Sequence, residues 1–556
     1  MSVSVDRLRK LGRAGMIGVD LLVVIALIAT AILIWRERTW VTPVTTRGPQ
    51  EAFLHGSIGT EVMPLAVALV LPDLFPDNFQ PAGTQNGDWV EQFGFLRDPD
   101  PNNKTGLPIG FVVTNYRPQS GAPSPSPFVG FACALCHSTQ LRTSEDQPGR
   151  IIYGPGSVSL NLFAWLDAFQ ASILAREAPP TGQDAAAAKP APYRLTFAAI
   201  DKAYKAKTGR SLGLADRAMI TLWLQQIRKR FTTGLPRFDD PYGNGRSRDP
   251  DITPTGPTRT QPFRTLIRTV INRPGNDMPV YTKIATVFSE DLHQRAQFDG
   301  SIADLYARSS MAALAAGATV DNMRVPEIVN DIRGASDFTK SLRPPRYDEL
   351  FPTQAAGRDA ARVSRGHEVY TRYCASCHGD RDAATGAWKN GPRTGQVVPI
   401  SEIKTESERV MFRHYGELGG RLYALLPKNH PFHFERDQIW PHPGEENNIA
   451  IRGYVNAPLD GMFLRAPYLH NGSVLTLAEL INLKKRRDVF YRGRNVYDPV
   501  DVGWRSPAAA DARDYFKFDA AVRGNSNQGH DYPWAWDDPQ RNADDLAALL
   551  EYLKTL

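Results

Sequence analysis

The four cysteines of the chain fall into two pentapeptides of the same form, Cys133-Ala134-Leu135-Cys136-His137 and Cys374-Ala375-Ser376-Cys377-His378. C-x-x-C-H is the attachment pattern of a c-type haem. Two thiols three positions apart on a turning backbone can each form a thioether to one haem vinyl group. The adjacent imidazole is then held under the porphyrin as proximal iron ligand. Two other chemistries share part of this pattern. A redox disulfide of the thioredoxin kind needs a βαβ setting, which neither segment has. A zinc site would have to bring together two pairs some 240 positions apart, and would leave both histidines without a role. The expectation is therefore two covalently bound haem c groups. Cys133, Cys136, His137, Cys374, Cys377 and His378 hold them, and His137 and His378 are the proximal iron ligands.

The sixth position on each iron decides between electron transfer and reaction with a small molecule. Nine further histidines are available: His55, His293, His367, His414, His430, His433, His442, His470 and His530. All but two follow residue 356, so the second haem has many candidate partners and the first has few. Met411 and Met462 are the methionine candidates near the second motif, and no methionine follows Met462.

These groups need a scaffold. The 556 residues, 42% hydrophobic and 22% charged, describe a globular chain with more than one core. Its 43 prolines and 44 glycines point to long loops. The net charge of +6 suits an acidic redox partner or anionic lipid. No basic run is interleaved with aromatics, so no nucleic-acid partner is expected.

An apolar run from Met16 to Trp35 follows Arg7, Arg9, Lys10 and Arg13. It is read as a single-pass inner-membrane anchor with the haem domains in the periplasm; a cleaved signal peptide is the alternative. Helical periodicity marks 158–174, 214–232, 304–316, 325–332 and 363–373. In a closing helix over 544–556, Leu546, Leu549, Leu550 and Leu553 share one face. The stretches 117–127, 179–192 and 234–262 read as Pro/Gly/Ser-rich connections. The expected architecture is mainly α: an anchor over 1–40, an N-terminal haem c domain with insertions over 41–345, and a C-terminal cytochrome c domain over 346–556.

The segment Ala466-Pro-Tyr-Leu-His-Asn-Gly-Ser-Val474, followed by Thr476-Leu477, resembles one shared by bacterial dihaem cytochrome c peroxidases and their relatives. Tyr497-Asp-Pro, Val502-Gly503, Gly524-Asn-Ser-Asn-Gln-Gly-His530 and Glu551-Tyr-Leu-Lys-Thr-Leu556 narrow the likeness, as do Gln297-Phe-Asp-Gly-Ser301 and Phe351-Pro352. Together they resemble the branch containing the dihaem rubber oxygenases. The resemblance implies a second haem closed by two histidines, His378 and His530, with His470 in a supporting place. It also implies a first haem, on His137, whose open face takes peroxide or dioxygen. Where that family has an inter-haem tryptophan, this chain has Val287-Phe288. The implied function is an oxidoreductase of the dihaem peroxidase or oxygenase type, supplied with electrons by a redox partner protein or a quinol-linked membrane complex. The alternative is a non-enzymatic electron-transfer subunit.

Overall fold

In the computed structural model, the residues described are 20–32, 46–80, 87–101, 103–178, 190–232, 254–272, 278–382, 384–494, 496–531 and 539–556. The connection expected at 179–192 lies largely outside them, as do most of 234–262 and the tryptophans Trp534 and Trp536.

The mainly α expectation is corrected. Helices alternate with short strands, which pair among the described residues into one three-stranded and six two-stranded antiparallel sheets. The reason is visible at 123–131. This Pro/Ser-rich segment extends what was expected as a connection, yet Pro123–Phe131 is the middle strand of the three-stranded sheet, between Met63–Pro64 and Phe111–Tyr116. Ser124, Ser126 and Phe128 point inward in strict alternation, and the prolines take the outward positions. Proline's fixed φ is compatible with extended backbone, and its missing donor is tolerated where no ladder bond is needed. Val129 registers against both Met63 and Val113.

The anchor is corrected too. Residues 20–32 are helical and exposed, but a span needs about 20 apolar residues. No described helix is long and apolar enough to cross a membrane. The rest of the 16–35 run lies outside the described residues. The single-pass inner-membrane placement, the membrane contact through that helix and the periplasmic assignment built on it are therefore withdrawn.

The helices expected from periodicity are present as Leu162–Leu174, Leu214–Thr232, Leu305–Ala316, Pro326–Ser341 and Ala360–Tyr373, the first starting four residues later than expected and the fourth running nine residues beyond the expected end at 332. Ala360–Tyr373 starts at Asp359, whose side chain accepts the Ala361 N–H, the usual way of satisfying a helix's first free donors. The closing helix, Pro539–Leu553, packs across it. Leu546, Leu549, Leu550 and Leu553 are all buried there. Gly366 lies at the crossing, where a Cβ would stand 2.1 Å from the Ala548 carbonyl oxygen. Beside it Arg365 grips Asp545 with two bonds, Nε–Oδ1 at 2.6 Å and Nη2–Oδ2 at 3.1 Å.

One core lies before residue 285, with Phe95, Phe111, Phe131 and Trp165 meeting edge to face. A second surrounds Phe288, Phe351, Phe463, Tyr468 and Tyr497. A third joins Phe263, Leu266, Met311 and Ile332 to Val410, Tyr415, Leu418, Leu422 and Tyr454. It therefore draws on both sides of residue 345, and this decides what lines the first site.

Candidate haem-binding sites

The two pentapeptides adopt the same local turn in different settings. Cys133–Leu135 is a 3-10 turn between the strands Pro123–Phe131 and Ser138–Leu141, whereas Ala375–His378 is a helical turn at the end of Ala360–Tyr373. In each, the second cysteine's N–H and then the histidine's N–H donate to the carbonyl of the first cysteine. The distances are 3.2 and 3.1 Å at Cys133, and 3.1 and 3.0 Å at Cys374. All four thiols are free of disulfides. Burial pushes Cys133, Cys136 and Cys374 up to about 12. Such thiols stay protonated, unlike the low-pKa thiolates of redox motifs.

The adjacent imidazoles share a second feature. His137 Nδ1 lies 3.0 Å from the Ala285 carbonyl oxygen, and His378 Nδ1 lies 2.8 Å from that of Ala457. A carbonyl accepts only a donor, so Nδ1 carries the hydrogen and Nε2 keeps its lone pair. This is the tautomer-fixing contact that metal-binding histidines make with their other nitrogen. Burial lowers the pKa of both, that of His137 to about 4, so both rings are neutral and able to ligate. Haem c fits the residues present at each motif on this donor chemistry.

The two sites differ in what faces the histidine. The ring of His530 faces that of His378, with centroids 6.2 Å apart and planes inclined by 47°. Two imidazoles on opposite sides of one metal, with bonds of roughly 2 Å, have ring centres about 6 Å apart. Burial, and then the neighbouring His378, lowers the pKa of His530 to about 3, so it too is neutral.

His137 instead lines a cavity of about 460 Å³ with mostly apolar walls. No other histidine lines it. Lys283 and Met311 do, but the Lys283 ammonium donates to the carbonyls of Arg465 and Pro467 at 2.5 and 2.7 Å, and Met311 packs in the third core. The far wall was not foreseen: Tyr415, Leu418, Leu422, Ile439 and Trp440, from after residue 400, close a cavity built around residue 137. Its ionisable lining includes Glu61, Glu290, Asp299, Arg259 and Arg308, with Glu290 and Arg308 paired to each other.

The other candidates are engaged elsewhere, except His293, whose buried Nε2 has no hydrogen-bond partner among the described residues. His367 pairs with Asp380 and stacks on Tyr552. His414 pairs with Glu417, and His430 and His433 bond the carbonyls of Val320 and Leu426. His442 lies against Trp440 and His55 ends a helix. His293 is close to Arg465 and Arg308, which with burial lower its pKa to about 3. His470 stacks on Tyr454 at 4.1 Å and bonds its hydroxyl at 2.9 Å. Met462 is buried in the second core, while Met411 is exposed. Phe288 is fully buried and lies against Gly154 and Gly461, where added Cβ atoms would stand 2.3 and 3.4 Å from its ring. Gly154 bonds the His137 carbonyl, and Gly461 follows closely on Ala457, so an aromatic ring without a donor lies between the two haem segments.

A family model described as RoxA-like, cytochrome c-like matches residues 453–491. The match contains the 466–474 segment and neither C-x-x-C-H pentapeptide. Two relatives are proteins of Sinorhizobium fredii, both named uncharacterized. One, y4iJ, is 24% identical over 85% of each chain. The other, y4iM, is 28% identical over 49% of this chain and 64% of its own. Residues 453–491 are thus similar to a RoxA-like cytochrome c domain, which supports a relationship to haem cytochromes. A place in the dihaem peroxidase superfamily and the number of haems do not follow from it.

Proposed function

We propose, from this relationship to RoxA-like haem cytochromes, that the chain is a dihaem c-type oxidoreductase with divided labour between its two motifs. The observation that carries the proposal is the asymmetry between them: His378 faces His530, whereas His137 lines a cavity with no second histidine. Haem held at such sites supplies an iron that exchanges single electrons and, where a coordination position is open, binds peroxide or dioxygen.

At the second site Cys374 and Cys377 would tether the group, and His378 and His530 would hold its iron. A group held by two fixed imidazoles would supply single-electron exchange, which suits electron relay from a redox partner protein. At the first site Cys133 and Cys136 would tether the group and His137 would hold its iron. The cavity opposite is lined mostly by apolar side chains. Buried carboxyl groups at Glu61 and Glu290 are the proton-holding side chains of that cavity.

The rival reading is a cytochrome that only passes electrons. Turnover separates the two. The haem-loaded chain should consume peroxide or dioxygen when given a reduced donor; a pure electron carrier would consume neither.

A further inference from the structure

We propose that Arg486 is the positioning residue that holds His530 opposite His378, an inference resting on the reading of His530 as an axial ligand. His530 ends a loop beginning at Gly524, and its own backbone is left-handed, with φ +55°. Gly529 before it is also left-handed, at φ +82°, and is pressed so closely on Lys404 that a Cβ would stand 2.3 Å from the Lys404 carbonyl carbon. Two successive residues in this region, one of them not glycine, are an unfavourable path for a chain. The path persists only where the surroundings impose it.

The surroundings are specific. Asn471 holds the start of the loop, its Nδ2 donating to the carbonyls of Gly524 and Ser526 at 3.2 and 3.0 Å. The His530 N–H donates to the Ile403 carbonyl at 2.9 Å. Arg486 holds the end. Its Nη1 donates to the carbonyls of Asn527 and Gly529 at 2.6 and 2.9 Å. Its Nε and Nη2 donate to those of Glu479 and Leu480 at 3.3 and 3.1 Å, at the end of the short helix Leu477–Leu480. Asp531 lies 3.4 Å from Nη2, and only 9% of the Arg486 side chain is exposed.

One planar fork thus ties the 477–480 turn to the two carbonyls just before the ligand. Five N–H groups in fixed directions make this possible, and a lysine's point charge cannot reproduce it. Arg486 touches neither ring. It acts through the backbone that aims His530.

The test uses the haem-loaded chain with Arg486→Lys and Arg486→Gln, read by EPR and by the reduction potential of the second haem. Both variants should shift the His378/His530 population from low spin towards high spin by roughly tenfold, the scale of losses when an outer support of a metal ligand is removed. Added imidazole should restore the low-spin signal, because the site is intact and only its ligand has swung away. Retention of the wild-type signal and potential in both variants would overturn the proposal, and so would a lost signal that imidazole does not restore. His530→Ala is run alongside and should lose the signal and be rescued. If it keeps the signal, the ligand reading itself fails and takes this inference with it.

Discussion

The imidazoles of His378 and His530, 152 positions apart in sequence, face each other with 6.2 Å between ring centres. That spacing is what one six-coordinate metal requires of two axial histidines. Neither ring reaches it unaided. His378 is fixed by the Ala457 carbonyl, and His530 sits on a left-handed backbone with its N–H held by Ile403.

On the proposed reading the cysteine pairs are separate tethers. Replacing Cys133 and Cys136 with alanine should remove one haem from the intact mass of the chain and leave the site at 374–378 loaded, and the reverse pair should do the converse. Mass spectrometry of the denatured protein reads this directly, because thioether-bound haem survives denaturation. A double variant that retains both haems would contradict two independent attachments.

The crossing of Ala360–Tyr373 with Pro539–Leu553 depends on a missing side chain. Gly366 leaves no space for a Cβ beside the Ala548 carbonyl oxygen, which is backbone and cannot swing aside. Gly366→Val should destabilise the chain by about 1–3 kcal/mol through overpacking, measured by urea denaturation. Gly366→Ala should lose stability as well, despite alanine's better helix propensity.

Glu61 gives a pH dependence of defined sign. Burial raises its pKa above the ordinary 4.5, against hydrogen bonds from Ser57, Asn322 and Thr114. A carboxyl raised in the folded state contributes stability that is complete below its unfolded pKa and is lost as pH rises through the folded value. Stability of the wild type should therefore decline as pH climbs from about 4.5, and Glu61→Gln should flatten that limb. Denaturation midpoints of the two proteins across this range provide the comparison.

The residues that do local work were legible in the sequence. The spacing within each pentapeptide picked out two matching turns with histidines on backbone carbonyls, and the leucines of the closing helix announced their buried face through period alone. Features made by distant segments were not. The strand at 123–131 hides behind its prolines, because outward-facing proline is as compatible with a sheet as with a loop. The cavity wall from Tyr415 to Trp440 belongs to a segment whose sequence says nothing of residue 137, since its hydrophobic pattern fixes that it is buried but not against what. The apolar run at 16–35 misled in the opposite direction. Composition alone suggested a span, and the helix described within it covers only 20–32.

The central claim is that one haem is closed by His378 and His530 while the other, on His137, has an open side. The most direct measurement is carbon monoxide titration of the reduced, haem-loaded chain, with EPR of the oxidised form. The account predicts one carbon monoxide bound per chain, with one high-spin and one low-spin ferric signal. Two low-spin signals and no binding of carbon monoxide would contradict it.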